Sequence, residues 1–255
     1  MLSVFAAGVG AGAINVVVGS GTLITFPVLL AVGLPPVTAT VSNALGLIPG
    51  SVTGAVGYHR ELNGQGRRVR VLGAAASVGG LAGAVLLLVL PSAAFERIVP
   101  VLVGLALVLV VLQPRISRSL RSRRGPGRLH CDPLLLTGLT LASVYGGYFA
   151  AAQGIIYTSL MGMRLDDDMQ SLNAIKNVLV AIVNTVAVLV FLVVAEFDWT
   201  AVGLLAAGSA LGGQAGAAAG RRLRPTFLRT LIVAVGAVAI VQMLARWPVT
   251  PGQRG

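Results

Sequence analysis

Apolar positions along this chain come in long uninterrupted runs, and the polar residues gather in short loops between them. The runs cover residues 2–18 with 21–34, 37–57, 70–90, 95–112, 134–150 with 154–163, 169–195, 199–219 and 227–246. Most reach the roughly 20 residues that a helical bilayer crossing needs. The first and fifth runs are different. Each is interrupted by a polar, glycine-bearing break, GSG at 19–21 and AQG at 152–154.

The two halves resemble each other in order and spacing. SNALG (42–46) answers LNAIK (172–176), SVGGLAGA (77–84) answers SALGGQAGA (209–217), and LPSAAFER (90–97) answers LRPTFLR (223–229). Glycine-rich membrane helices match by composition alone, but F-x-R and N-A are not compositional. A duplicated unit of four segments is the better explanation. The expected organisation is a first membrane repeat over 1–113, an arginine-rich linker over 114–133 and a second membrane repeat over 134–255.

Composition places the chain in lipid. Its mean hydropathy is +0.89, and 56% of its residues are hydrophobic against 5% aromatic. Ala, Val, Leu and Gly suit helices that pack closely without water to drive them together. The formal charge of +11 raises the question of nucleic acid, but no basic face with interleaved aromatics appears, so none is expected as a partner. The arginines act as topology signals. Arg60, Arg67, Arg68 and Arg70, then Arg115 to Arg128, then Arg221 to Arg229 all mark cytoplasmic loops, whereas the turn EFDW (196–199) and the C-terminal tail mark the outside.

Eight simple crossings cannot meet that pattern. It is met if the first and fifth segments each enter and return to the same side, which inverts the halves and puts both termini outside the cell membrane. The sequence therefore predicts an all-α polytopic membrane protein of two inverted repeats of four helical segments each, with the first and fifth segments broken and re-entrant. MLSVFAAGVGAG has no basic region ahead of its apolar stretch and is not expected to be a cleaved signal peptide. Cys131, the only cysteine, tests the orientation. A membrane-impermeant thiol reagent should leave it unlabelled in intact cells, and strong labelling would overturn the inverted topology.

Candidate chemistry centres on SLNAIKNVLVAIVN (171–184), which holds Lys176, the only lysine in the chain. A charge at the middle of such a helix costs roughly 2.5–3.5 kcal/mol on insertion scales. Asn173, Asn177, Asn184 and Gln170 share its helical stripe, which points into the bundle because polar groups facing lipid go unpaired. One reading has Lys176 attracting an anion, and the other has it snorkelling to the cytoplasmic surface. The asparagines serve either ligand contacts or interhelical hydrogen bonds.

In the first half, Asn43 lies on a face with Gly46, Gly50, Gly54 and Gly57, and Gly46 takes the aligned position of Lys176. At the breaks, Ser20, Gly21 and Thr22, and Gln153, Gly154 and Thr158, can offer N–H groups and hydroxyls to an oxyanion at a half-helix N-terminus. Asp166, Asp167 and Asp168 read as a helix cap and first turn, or as a proton-relay entrance. His59 and His130 fall in arginine-rich loops, and Cys131 has no second cysteine. No metal and no cofactor are expected.

GSGTLITFPVLLAVGLPPVTATVSNALGLIPGS, followed by GYHREL, resembles the first-half signature of the TauE/SafE sulfite exporter family. YGGYFAAAQGIIYTSLMGMRLDDDMQSLNAIKNVLVAIVN is similar to its second-half counterpart, and the resemblance covers essentially the whole chain. It implies a multi-pass secondary transporter of small sulfur-containing anions such as sulfite or organosulfonates, built as two inverted repeats. One departure is AAAQG, where family members carry a GxGxG-like break, so the substrate is not held to sulfite itself.

A different small anionic metabolite is the alternative cargo. A membrane-embedded enzyme would need a nucleophile or metal constellation at membrane depth, and none of HExxH, GxSxG or paired intramembrane carboxylates appears. A purely structural subunit would not carry an intramembrane lysine and two broken helices, each costly to stability. Asp and Glu are nearly absent from the spans, which argues against a buried carboxylate proton carrier. Na⁺ coupling, uncoupled flux and a homo-oligomer are all compatible with the sequence.

Overall fold

The computed structural model describes residues 1–122, 132–219, 230 and 232–237. Among these, the chain is helical throughout, as α1 (Leu2–Val17), α2 (Thr22–Ala31), α3 (Pro36–Gly57), α4 (Gly66–Val89), α5 (Ser92–Ser122), α6 (Pro133–Tyr148), α7 (Gln153–Arg164), α8 (Met169–Val194) and α9 (Trp199–Ala219). Residues 232–237, within the last apolar run, are helical too. Among the described residues, four helices are long and apolar enough to cross a membrane: Gly66–Val89, Ser92–Ile116, Met169–Val194 and Trp199–Ala218. The protein is an all-helical, multi-pass membrane protein. Cys131, His130 and most of the last run lie outside the described residues.

The helix ends follow local chemistry. Pro36 opens α3 and Pro133 opens α6, where a missing N–H is harmless. Asp132 caps α6 through Leu135 N (2.7 Å). Asp168 caps α8 through Gln170 N and Ser171 N, as the triple-aspartate stretch predicts. Asp167 turns away to pair with Arg68 at the start of α4. One boundary differs. The apolar run ending at 112 continues as helix to Ser122 with Pro114 inside it, because leaving the apolar layer does not by itself stop a helix. The first part of the expected linker is thus an extension of α5.

Small residues set the packing. α1 lies along α9, which also packs on α3, while α6 lies along α4, which also packs on α8. A Cβ at Gly212 would fall 1.9 Å from Val9 O, and one at Gly216 would fall 2.8 Å from Ala13 Cα. On the other side, a Cβ at Gly79 would fall 2.2 Å from Thr140 O, and one at Gly83 would fall 2.1 Å from Val144 O. The stretches 77–84 and 209–217, alike in sequence, therefore make like contacts, α4 on α6 and α9 on α1. Such close backbone approach replaces the hydrophobic drive that lipid removes.

Neither part of a broken segment crosses alone. At 1.5 Å per residue, α1 spans about 24 Å and α2 about 15 Å, short of a hydrocarbon core of about 30 Å. α6, with 16 residues, and α7, with 12, are equally short. The breaks are buried, as lipid demands of non-helical backbone. Ser20, Ala151 and Ala152 are all fully enclosed.

Candidate functional site

The site grows from the way each break releases backbone groups. At the end of α1, Val18 N and Gly19 N both turn back to Ile14 O, at 2.7 and 3.1 Å. The carbonyls of Asn15 and Val16 are left without helical partners, as at any helix end. Gly19 then takes φ +85°, a left-handed turn that a side chain resists. The first α2 amide to find a backbone acceptor is Leu23 N, on Ser20 O at 3.2 Å. The amides of Ser20, Gly21 and Thr22 precede it at the positive end of the helix.

The second break is built differently. Phe149 N and Ala150 N fold back on Tyr145 O, and the Tyr145 hydroxyl donates to Ala151 O at 2.6 Å. Ala150 and Ala152 both adopt left-handed backbone, at φ 65° and 56°. Each costs about 1–2 kcal/mol in a residue with a Cβ. Glycines would adopt these angles freely, which is the physical content of the AAAQG departure. Phe149 packs edge-on against Phe26 of α2, with centroids 5.1 Å apart, and near Phe95 of α5.

The breaks touch. Gly154 N donates to Gly19 O at 3.1 Å, and a Cβ on either glycine would lie 2.5 Å from the Cα of the other. Lys176 of α8 runs past this contact. A Cβ at Gly154 would come within 2.9 Å of Lys176 Cδ. The ammonium reaches the end of α1, where it donates to Asn15 O and Val16 O, each at 2.9 Å. Lys176 is 0% exposed, so it does not snorkel. It takes part in neither the Arg68–Asp167 nor the Arg164–Asp132 ion pair.

The other predicted residues divide into those that join this point and those that do not. Ser20 lies in the first break with its hydroxyl buried and unpartnered, and Asn177, one residue after Lys176, has a buried Nδ2 without a partner. A Cβ at Gly54 would sit 2.5 Å from Val16 and 3.5 Å from Asn177 Nδ2, which places Asn177 beside the end of α1. Gly21 packs against α1, where a Cβ would fall 2.7 Å from Ala11 O. Thr22 accepts from Asn43 Nδ2 at 3.2 Å, and Asn43 Oδ1 accepts from Thr25. Asn43 thus pins α2 to α3.

Gln153 turns toward α6. Its Nε2 donates to the Tyr157 hydroxyl (2.6 Å), which pairs with Ser143 (2.6 Å), and its Oε1 is buried without a partner. Thr158, expected to offer its hydroxyl to a ligand, bonds instead to Gly154 O and Ile155 O of its own helix, as a threonine inside a helix commonly does. Asn173 is half-buried with no side-chain hydrogen bond. Gly46 does not face Lys176, because it packs on Leu205 of α9, where a Cβ would fall 2.5 Å from the leucine Cβ.

Sequence reasoning missed Gly19, Asn15 and Ser51. Gly19 was legible as the first residue of GSG, although its neighbours drew attention first. Asn15 donates to Ser51 at 3.2 Å and lends its carbonyl to Lys176. A carbonyl common to every residue leaves no mark in a sequence.

An all-helical membrane bundle whose two interrupted helices meet beside a buried cation has the construction of a membrane transporter. The chain belongs to the sulfite exporter TauE/SafE family, whose model matches residues 4–243. It is 25% identical over 236 residues to the "probable membrane transporter protein YfcA" of Escherichia coli K12, covering 92% of this chain and 86% of that protein. A "probable membrane transporter protein" of Haemophilus influenzae is 24% identical over 243 residues, covering 94% of this chain and 92% of the relative. No solved structure matches.

Proposed function

We propose that this transporter carries a small anion, a sulfur oxyanion or an organosulfonate, outward across the cell membrane, and binds it where the two breaks cross. The observation that carries the reading is the fully buried Lys176 ammonium, which donates to backbone carbonyls alone. A positive charge at that depth is compensated at low cost by an anion. Two of its three N–H groups are engaged, which leaves the third for a ligand oxygen. The unpartnered Ser20 hydroxyl, Asn177 Nδ2 and the free amides at the start of α2 supply further donors. Gly19, Gly21, Gly154, Ser20, Lys176 and Asn177 form the core of the proposed site. Asn43 and Thr22 brace α2 against α3 beside it, and Gln153 braces the start of α7 through Tyr157 and Ser143.

The like contacts of α4 on α6 and α9 on α1, and the short paired helices at each break, support two repeats of opposite orientation. The arginine distribution supports termini outside and the 58–70 stretch inside. Alternating exposure then follows from one repeat rocking on the other about the Gly19–Gly154 contact.

Thermal unfolding of the purified protein with sulfite, taurine, sulfate and acetate is the test, since only ligands of the folded state stabilise it. Sulfite or taurine at a hundredfold excess over Kd should raise Tm by about 5–10 °C for a chain of this size. A response to acetate alone would favour the alternative cargo, a different small anionic metabolite, and no response to any anion would overturn the anion site.

A further inference from the structure

We infer that the end of α1 is a monovalent-cation site that the protein fills with its own Lys176 ammonium, so that anion transport needs no external cation. The last carbonyls of a helix carry partial negative charge and lack partners. In transporters built on broken helices, such ends together with unwound carbonyls coordinate the coupling Na⁺ or H⁺. Here the chain turns off at Gly19, and Val18 N and Gly19 N both go to Ile14 O. Asn15 O and Val16 O therefore face the interior, and the group they hold is Lys176 Nζ, at 2.9 Å from each.

The lysine comes from the far half of the chain, 160 and 161 residues away from these carbonyls. Its stem passes through the gap that the missing side chain of Gly154 leaves. The arrangement is one-sided. At the aligned position of the other half stands Gly46, which packs on Leu205 and offers no cation to α6. A tethered amine cannot leave with the cargo, so the two carbonyls keep their donor through the cycle. Transport is then independent of the Na⁺ gradient.

The inference rests on the crossing being the transport site, but its first test needs no substrate. Thermal unfolding of wild type and Lys176→Ala is followed in ammonium, Na⁺ and K⁺ against N-methylglucamine at equal ionic strength. Removing the ammonium leaves two buried carbonyls and space, so an ammonium or alkali ion should raise the Tm of Lys176→Ala saturably, by about 5–10 °C at a hundredfold excess over its Kd. Wild type should not respond. A variant indifferent to every cation, or a wild type stabilised saturably by Na⁺ or K⁺, overturns the inference. If Lys176→Ala is recovered folded only when ammonium is present throughout purification, the same conclusion holds, and a variant that no cation recovers overturns it.

The second test uses wild type in proteoliposomes. Sulfite flux should be unchanged when N-methylglucamine replaces Na⁺, and a fall of tenfold or more would overturn cation independence. Absence of sulfite flux under every condition would instead count against the anion reading, and the unfolding result would still stand.

Discussion

Gly154→Val should abolish transport and lower folding stability by about 3–5 kcal/mol. The added Cβ alone would lie 2.5 Å from Gly19 Cα and 2.9 Å from Lys176 Cδ. Gly19 cannot retreat, because it belongs to a turn at φ +85°, and the lysine stem cannot move without withdrawing its ammonium from Asn15 O and Val16 O. Overpacking of this kind costs about 1–3 kcal/mol. Loss of the hydrogen bond from Gly154 N to Gly19 O adds about 1 kcal/mol, and more where the carbonyl stays buried and unpaired. Gly19→Val meets the same contact from the other side and adds the cost of left-handed backbone. Gly21→Val should be milder, since its Cβ meets Ala11 O at 2.7 Å and Asn15 Cβ at 3.1 Å but not the contact between the breaks. Thermal unfolding in detergent and flux in proteoliposomes check the order. A Gly154→Val protein with wild-type Tm and flux would mean that the breaks do not meet.

Lys176→Gln should insert into the membrane, yet bind the transported anion about 10- to 150-fold more weakly. That range corresponds to the loss of one charge-assisted hydrogen bond, about 1.5–3 kcal/mol. From its sequence position, the substitution looks neutral or favourable for folding, because a costly charge is removed. The structure changes that sign. Asn15 O and Val16 O lose their donors, and a buried unpaired carbonyl costs about 1–3 kcal/mol. The shorter glutamine does not span the distance past Gly154. Stability should therefore fall together with affinity. Titration of the purified variant with sulfite or taurine, alongside its Tm, separates the two effects. Unchanged affinity in a well-folded variant would remove Lys176 from the anion site.

Much of the bundle was legible before any contact was known. The runs at 37–57, 169–195 and 199–219 became α3, α8 and α9 with ends within a residue or so; the first interruption fell on GSG, whereas the second lies at 149–152, with Gln153 and Gly154 already in α7. A membrane makes this possible, because a spanning helix must satisfy its backbone internally and shows as an apolar run. The aspartates before α8 were legible for a similar reason, since a cap acts on amides two or three residues away. The end of α5 was not, because hydropathy marks where lipid stops and does not mark where a helix stops.

Within the site, the sequence by itself determined which residues carry unusual chemistry: one lysine at membrane depth, a polar stripe around it, and two glycine-bearing breaks. Each is costly in lipid wherever it lies, so its presence can be read without a partner in view. Only the tertiary structure decided what those residues do for one another. It set Gly19 against Gly154, turned Gln153 toward Tyr157, returned the Thr158 hydroxyl to its own helix, and carried the Lys176 ammonium to the end of α1. The partners in these contacts are often backbone atoms, identical in every residue and distant in sequence. Only the folded chain brings them within hydrogen-bonding reach.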